Sequence, residues 1–160
     1  MSDLATVRAA LLEMVATVPA IGRVHDRARY VRLPSDMLRH YIYAPPDGVE
    51  HVRGWHLQNT AIEERTLARG RVLNKFDWQL RGYMSFSDEL ASELVFDELV
   101  EGVRAVFRAD PTLGGVCSAE AYGEQPDGMQ KADAAPVMFC GVLCHSAVLT
   151  CSTWKYTSKT

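Results

Sequence analysis

The chain has 160 residues, of which 48% are hydrophobic and 23% charged, so it is not a disordered or collagen-like chain and is predicted to be one domain over residues 1–160. Its formal net charge of −3 argues against a general nucleic-acid binder, because such proteins present a basic surface. The charge is uneven: residues 1–80 hold 11 basic and 9 acidic side chains, whereas residues 81–160 hold 6 basic and 11 acidic ones.

The first 18 residues predict an amphipathic helix. Ser2 is a suitable N-cap, and apolar side chains recur at helical spacing as far as Val18. Asp3, Arg8 and Glu13 interrupt every apolar run, so this segment is not expected to be a signal peptide. No stretch of the chain approaches the roughly 20 apolar residues that a membrane-spanning helix needs.

A basic segment follows, over residues 23–39. A short helix is predicted from Pro34 to about Tyr43, and Pro45–Gly48 forms a turn. The arginines of this segment that we assign to a candidate interface are Arg23, Arg27, Arg29 and Arg32.

Two long strands are predicted next, over about His51–Arg65 and Arg71–Phe86, joined as a hairpin at residues 68–70. The second strand alternates apolar and polar residues, which is typical of a strand with one buried and one wet face. On a monomer the wet face is simply exposed, and on a ring subunit it lines a lumen. Its residues are Lys75, Asp77, Gln79 and Arg81.

The main helix is predicted to begin at the cap residue Ser87 and to stop at Asp110–Pro111, with Leu90, Leu94, Leu99, Val103 and Phe107 in its apolar stripe. Residues 88–101 contain six acids and no base. They are either a solvated face or the complement of the basic segment, and the acids assigned to the interface are Glu93, Asp97 and Glu98.

The last third of the chain predicts a strand at about Val116–Glu124, a loop at Gln125–Asp133, and a strand or strand pair from Pro136 to about Thr157. The order of elements indicates an α+β fold. We expect an antiparallel sheet with a long β-hairpin and helices packed on one face.

The four cysteines, at positions 117, 140, 144 and 151, are expected to be reduced and buried. Cys140, Cys144 and His145 are the nearest approach to a metal or thiol site. On a strand, however, the two cysteines would lie about 13 Å apart and Cys144 and His145 would point to opposite faces. No catalytic, cofactor-binding or metal-binding residue is therefore predicted, and a small thiol- or metal-dependent enzyme is kept as the alternative class.

Three segments resemble the tail-terminator or tail-completion proteins of siphophages and Mu-like phages. They are Gly22–Arg27, Arg53–Leu57 and Phe76–Tyr83, and the helix at Ser92–Glu93 and the strand Val142–Ala147 fit the same pattern. The similarity spans about residues 4–156. It depends on length, segment order and a few aromatic–glycine signatures, with no catalytic fingerprint.

The resemblance implies a virion structural protein of the tail or neck, assembled in the host cytoplasm. Its subunits would form a hexameric ring that caps the tail tube, ends tube polymerisation and joins the head connector. The tube protein, the connector or stopper protein and other copies of the chain would be its partners, and the lumen would let the genome pass without specific binding. By analogy, Gln125–Ala135 would be a contact loop. Another head–tail neck protein is the nearest alternative.

Overall fold

The computed structural model describes residues 1–46, 48–119 and 128–158. Within these residues the chain forms a mixed sheet of six strands and three helices, so the predicted α+β class is confirmed. The elements in chain order are α1 (Asp3–Ala16), β1 (Arg23–His25), α2 (Pro34–Arg39), β2 (Ile42–Tyr43), β3 (His51–Thr66), β4 (Arg71–Ser85), α3 (Ser92–Ala109), β5 (Gln130–Phe139) and β6 (Val142–Ser158).

The sheet has the strand order β1-β3-β4-β6-β5, and β2 pairs with the start of β3. All pairs are antiparallel except β1 and β3, which run parallel. This order leaves β1, with the part of β3 beyond it, at one edge of the sheet and β5 at the other. The candidate functional surfaces lie at these two edges.

The predicted hairpin of β3 and β4 is confirmed, and a single 3-10 turn at Ala68–Gly70 joins its strands. Its register explains the aromatic–glycine signatures, because Trp55 lies opposite Gly82 and Gly54 lies opposite Tyr83. A Cβ atom on Gly82 would lie 2.3 Å from the Trp55 ring, so only glycine leaves room for the indole. These motif residues therefore determine strand packing.

The two long helices, α1 and α3, cover one face of the sheet, as predicted. Ser2 caps α1, because its Oγ accepts the N–H of Ala5 at 3.2 Å. Burial of this face supplies most of the apolar core. Its largest buried side chains include Leu11, Trp55, Trp78, Leu80, Met84, Phe107 and Leu149.

The short α2 and β2 pack on the opposite face, at one end of the sheet. Tyr41 is completely buried there in a cluster with Val52 and Cys144. A Cβ on Gly54 would lie 2.3 Å from the Tyr41 ring, so this glycine admits the close approach. The predicted helix to Tyr43 therefore ends earlier, at Arg39, and the chain joins the sheet as β2.

The prediction that Ser87 caps the main helix is wrong. The N–H of Ser87 donates to Ser92 Oγ at 2.8 Å, and the N–H of Ser92 donates to Ser87 O at 3.1 Å. These bonds close a turn over residues 87–91, which ends at Ala91 with a φ of 48°. The helix begins only at Ser92, so Asp88 and Glu89 lie in the turn before it.

The predicted apolar stripe of α3 is correct in its second half and wrong in its first. Leu90 and Leu94 are 60% and 66% exposed, whereas Phe96 and Val100 are buried. The buried residues follow one continuous face of the helix, whereas Leu94 lies five residues before Leu99, about 140° around the helix, and Leu90 precedes the helix.

The predicted loop at Gln125–Asp133 is wrong from Gln130 onward, because β5 begins there and pairs with β6, whereas residues 128–129 lie outside any strand. The described part of the predicted strand at 116–124 makes only a single bridge, between Ser118 and Trp154. Residues 120–127, which include the remainder of both predictions, lie outside the described residues. The last two strands form a hairpin with Cys140 and Gly141 in its turn, both at positive φ.

Candidate functional site: two sheet edges of opposite charge

Two surfaces at opposite edges of the sheet form the candidate site. We call residues 23–33, with the adjoining edge of β3, the basic edge. We call the first half of α3, with β5, the acidic edge. The predicted arginines are all on the first surface. Of the predicted acids, Glu93 and Asp97 lie beside β5, and Glu98 lies on the exposed side of α3, about 100° around the helix from Asp97. Each edge strand also has one side that pairs with no other strand among the described residues.

The basic edge is formed by the chain that leaves β1. Residues 27–31 pass beside β3 at Leu57–Asn59 and enclose a groove of about 450 Å³ together with Arg8 of α1. Arg23, Arg27 and Arg32 are exposed and Arg29 is half-buried.

Few carboxylates offset these arginines. Residues 23–39 contain five arginines and two acids, Asp26 and Asp36. Each of the two acids already contacts an arginine of the segment, at 2.6 Å for Arg27 and 3.7 Å for Arg39. The segment therefore keeps an excess of three positive charges, which favours an anionic partner.

Tyr30 is the most exposed aromatic side chain of the basic edge, at 90% exposure. Leu33, three residues further along the chain, is 55% exposed. An exposed tyrosine between arginines is the composition typical of the centre of a protein–protein interface.

The acidic edge begins with the helix. Glu93, Asp97 and Glu101 are spaced four residues apart, so they lie along one face of α3. Asp97 forms an ion pair with Lys131 of β5 at 3.5 Å, which bridges the helix and the edge strand. Glu93 and Glu98 are exposed.

A groove of about 240 Å³ lies between α3 and the β5–β6 pair. Its lining includes Phe86, Glu93, Asp97, Ala135, Pro136 and His145. The Phe86 ring stacks on His145 with centroids 3.7 Å apart. The groove therefore combines an aromatic surface with two carboxylates at its side.

His145 is held in place from the helix side. Its Nε2 lies 2.8 Å from Ser92 Oγ, which also accepts the N–H of Ser87. Burial lowers the pKa of His145, and the carboxylates of Glu93 and Asp97 act in the opposite direction. A serine hydrogen-bonded to a histidine is also found in hydrolases. Here Ser92 is only 3% exposed and organises the turn before α3, which supports a structural role.

An apolar strip extends the acidic edge across the ends of three strands. The N–H of Phe86 donates to Leu143 O at 3.2 Å, and Leu143 lies opposite Met138. These three side chains are 45%, 48% and 67% exposed, respectively. A contiguous exposed apolar strip of this kind is characteristic of a contact surface.

The four residues predicted to be a wet face lie on the sheet face that α1 and α3 leave uncovered. Asp77 accepts the hydroxyl of Ser152 at 2.6 Å and lies 3.5 Å from Lys75 Nζ, and Arg81 Nε donates to Gln79 at 3.1 Å. Only Arg81 is exposed; Gln79 and Asp77 are half-buried, and the Lys75 side chain is 11% exposed. The face is therefore polar and internally bonded.

The structure does not bring the residues of the candidate thiol site close to one another. Cys144 lies in the cluster around Tyr41, whereas His145 points to the helix side. Burial raises the pKa of the Cys144 and Cys117 thiols to about 11 and that of Cys151 to about 12, which leaves them poor nucleophiles. In the described part of the chain, no group of three or more His, Cys, Asp or Glu side chains is placed to hold a metal ion.

The sequence did not indicate a buried polar cluster beneath α2. The Tyr41 hydroxyl is hydrogen-bonded to His56 Nδ1 at 3.1 Å, and His25 Nε2 lies 2.6 Å from the carbonyl of His40. Burial lowers the pKa of His56 to about 4, with Arg81 and His25 contributing, and also lowers the pKa of His25. The partners lie 15 residues apart in sequence, and no local pattern indicates them.

Comparison with known proteins finds no matching family model and no matching curated protein. No helix in the described ranges is long and apolar enough to cross a membrane.

Proposed function

We propose that this protein is a structural subunit of a tailed-phage virion, a tail terminator whose copies associate head to tail into a ring of about six subunits. The observation that supports the proposal is the opposite charge of the two sheet edges. A basic edge on one copy is complementary to an acidic edge on the next, and complementary charge steers and orients association.

The positions of the edges determine the type of assembly. Because the two surfaces differ and lie at opposite ends of the strand order, the contact between copies is heterologous. Heterologous contacts give closed rings when the rotation between copies closes, and open filaments when it does not. A ring is the form that the resemblance to tail terminators implies.

In such a ring the sheet face with Asp77, Gln79 and Arg81 is available to line the lumen. Its charges are mixed and bonded to one another, so it presents no strong binding site for nucleic acid. This suits a channel through which a genome passes. The protein acts by assembly, so its activity is to cap the tail tube and present a docking surface for the head connector.

Electron microscopy of tube assembly tests the proposal. The tail tube protein encoded in the same genome is allowed to polymerise with and without this protein. We expect short tubes that end in a ring when it is present and overlong tubes when it is absent. Tubes of equal length with bare ends would refute the terminator function, and rings bound only to the connector would assign the protein to the neck.

A further inference from the structure

We infer that Tyr30 of one copy inserts into the groove between α3 and β5 of the next copy. This inference rests on the proposed head-to-tail assembly and names the contact that forms it. Tyr30 is 90% exposed on the basic edge, and the groove on the acidic edge has a volume of about 240 Å³. Small-molecule sites usually have roughly 300–1,000 Å³, so this groove suits a single side chain better than a substrate.

The chemistry of the two surfaces matches. The Phe86 and His145 rings and Pro136 offer an aromatic and apolar surface to the Tyr30 ring. Glu93 and Asp97 at the side of the groove offer carboxylates to the arginines that flank the tyrosine, and Lys131, which also lines the groove, is already paired with Asp97. Tyrosine and arginine are the residue types that contribute most binding energy at protein interfaces.

The occupant is a second copy because the chain cannot fill its own groove. Tyr30 follows β1, and the groove lies against β5, at the other end of the strand order. Four strand spacings of about 4.8 Å separate the two edges, which is a distance of about 19 Å within the sheet. When the basic edge of one copy meets the acidic edge of the next, this topology places Tyr30 of the first copy against the groove of the second.

Two blocking variants test this contact by light scattering. Tyr30→Ala removes the inserted side chain. Ala134→Trp fills the groove with an indole, because Ala134 lies opposite Ala147 and shares the helix-side face of β5 with Pro136. We expect each variant alone to be monomeric, with a dissociation constant raised about 30-fold or more for Tyr30→Ala, as for a hot-spot residue. Because Tyr30 and Ala134 are both exposed, the two variants should unfold at the wild-type urea concentration.

A one-to-one mixture of the two variants makes the test decisive. One intact loop and one intact groove can form a single contact, so the mixture should give a dimer of about 36 kDa and nothing larger. Val49→Ala, at another site that is 85% exposed, and Ala132→Trp, on the same strand outside the groove, are the matched controls and should assemble like the wild type.

The outcomes separate this inference from the proposed function. If both blocking variants form rings as readily as the wild type, the Tyr30 contact is wrong and the proposed head-to-tail assembly stands. A wild-type protein that stays monomeric at every concentration would overturn both. A groove that binds only a different tail protein, and never a second copy, would also overturn the inference.

Discussion

Reversing the charge of the acidic edge should weaken the contact between copies. Replacing Glu93, Asp97 and Glu98 by lysine turns three attractive pairs with the neighbour's arginines into repulsive ones. An exposed pair contributes roughly 0.2–1 kcal/mol, so each reversal changes the contact by about 1 kcal/mol and the three together by about 3 kcal/mol. The dissociation constant of each contact should therefore rise about 150-fold at low ionic strength and less in salt.

The same variant should still fold. Glu93 lies in the first turn of α3, where the loss of its favourable interaction with the helix dipole costs roughly 0.3–1 kcal/mol. Asp97 also loses its pair with Lys131, but both side chains are at least 39% exposed, so that loss is small. We expect a decrease in Tm of only a few degrees.

Sedimentation velocity measures the association, and two further variants decide its cause. The matched control replaces Glu13, Glu50 and Glu64, three exposed acids outside α3, by lysine and has the same net charge. It should assemble. Combining the α3 reversal with glutamate at positions 27, 29 and 32 should restore assembly. An α3 reversal that associates like the wild type, or like the control, would refute the charge-complementary contact.

Three further predictions concern stability and reactivity. Gly82→Ala should lower the free energy of unfolding in urea by about 1–3 kcal/mol, since its Cβ would meet the Trp55 ring at 2.3 Å, whereas Gly128→Ala, with 3.7 Å of clearance, should change it little. The free energy of unfolding should also fall by up to about 3 kcal/mol between pH 7 and pH 4, because His56 has a pKa of about 4 when folded and 6.5 when unfolded, so the unfolded chain binds the proton first. Of the four thiols only Cys140, which is half-buried, should react quickly with a disulfide reagent at pH 8.

A specific result would contradict each of these three predictions. Equal urea midpoints for the two glycine variants would show that the strands accommodate the extra carbon. A His56→Gln variant should have a smaller loss of stability in acid, and an unchanged pH dependence would remove the histidine from the explanation. Fast reaction at Cys144 would restore the thiol-enzyme alternative.

Sequence patterns predicted the elements whose signals are local. The α1 helix begins directly after its N-cap Ser2, where cap and periodicity agree, and the alternation of β4 identified the hairpin. The opposite charge of segments 23–39 and 88–101 was also visible in the sequence. Only the folded structure shows that the two segments lie toward opposite edges of the sheet.

The elements that the sequence predicted wrongly depend on distant partners. Ser87 has every local property of an N-cap, but the helix starts at Ser92, four residues after the expected first helical residue Asp88. Ser92 is held there by its bond to His145, 53 residues away. The first residues of β5 are glutamine, lysine, alanine and aspartate, with Pro136 nearby. These residue types are tolerated in an edge strand but have little intrinsic preference for a strand. Pairing with β6 stabilises the extended conformation that these residues do not favour on their own.

The molar mass of the assembled protein tests the central claim most directly. Light scattering across a range of concentrations should show a closed oligomer, of about 107 kDa for six subunits of 17.8 kDa, whose mass stops rising once the ring is complete. A constant mass of 17.8 kDa at every concentration would contradict head-to-tail assembly, and a mass that grows without limit would contradict closure.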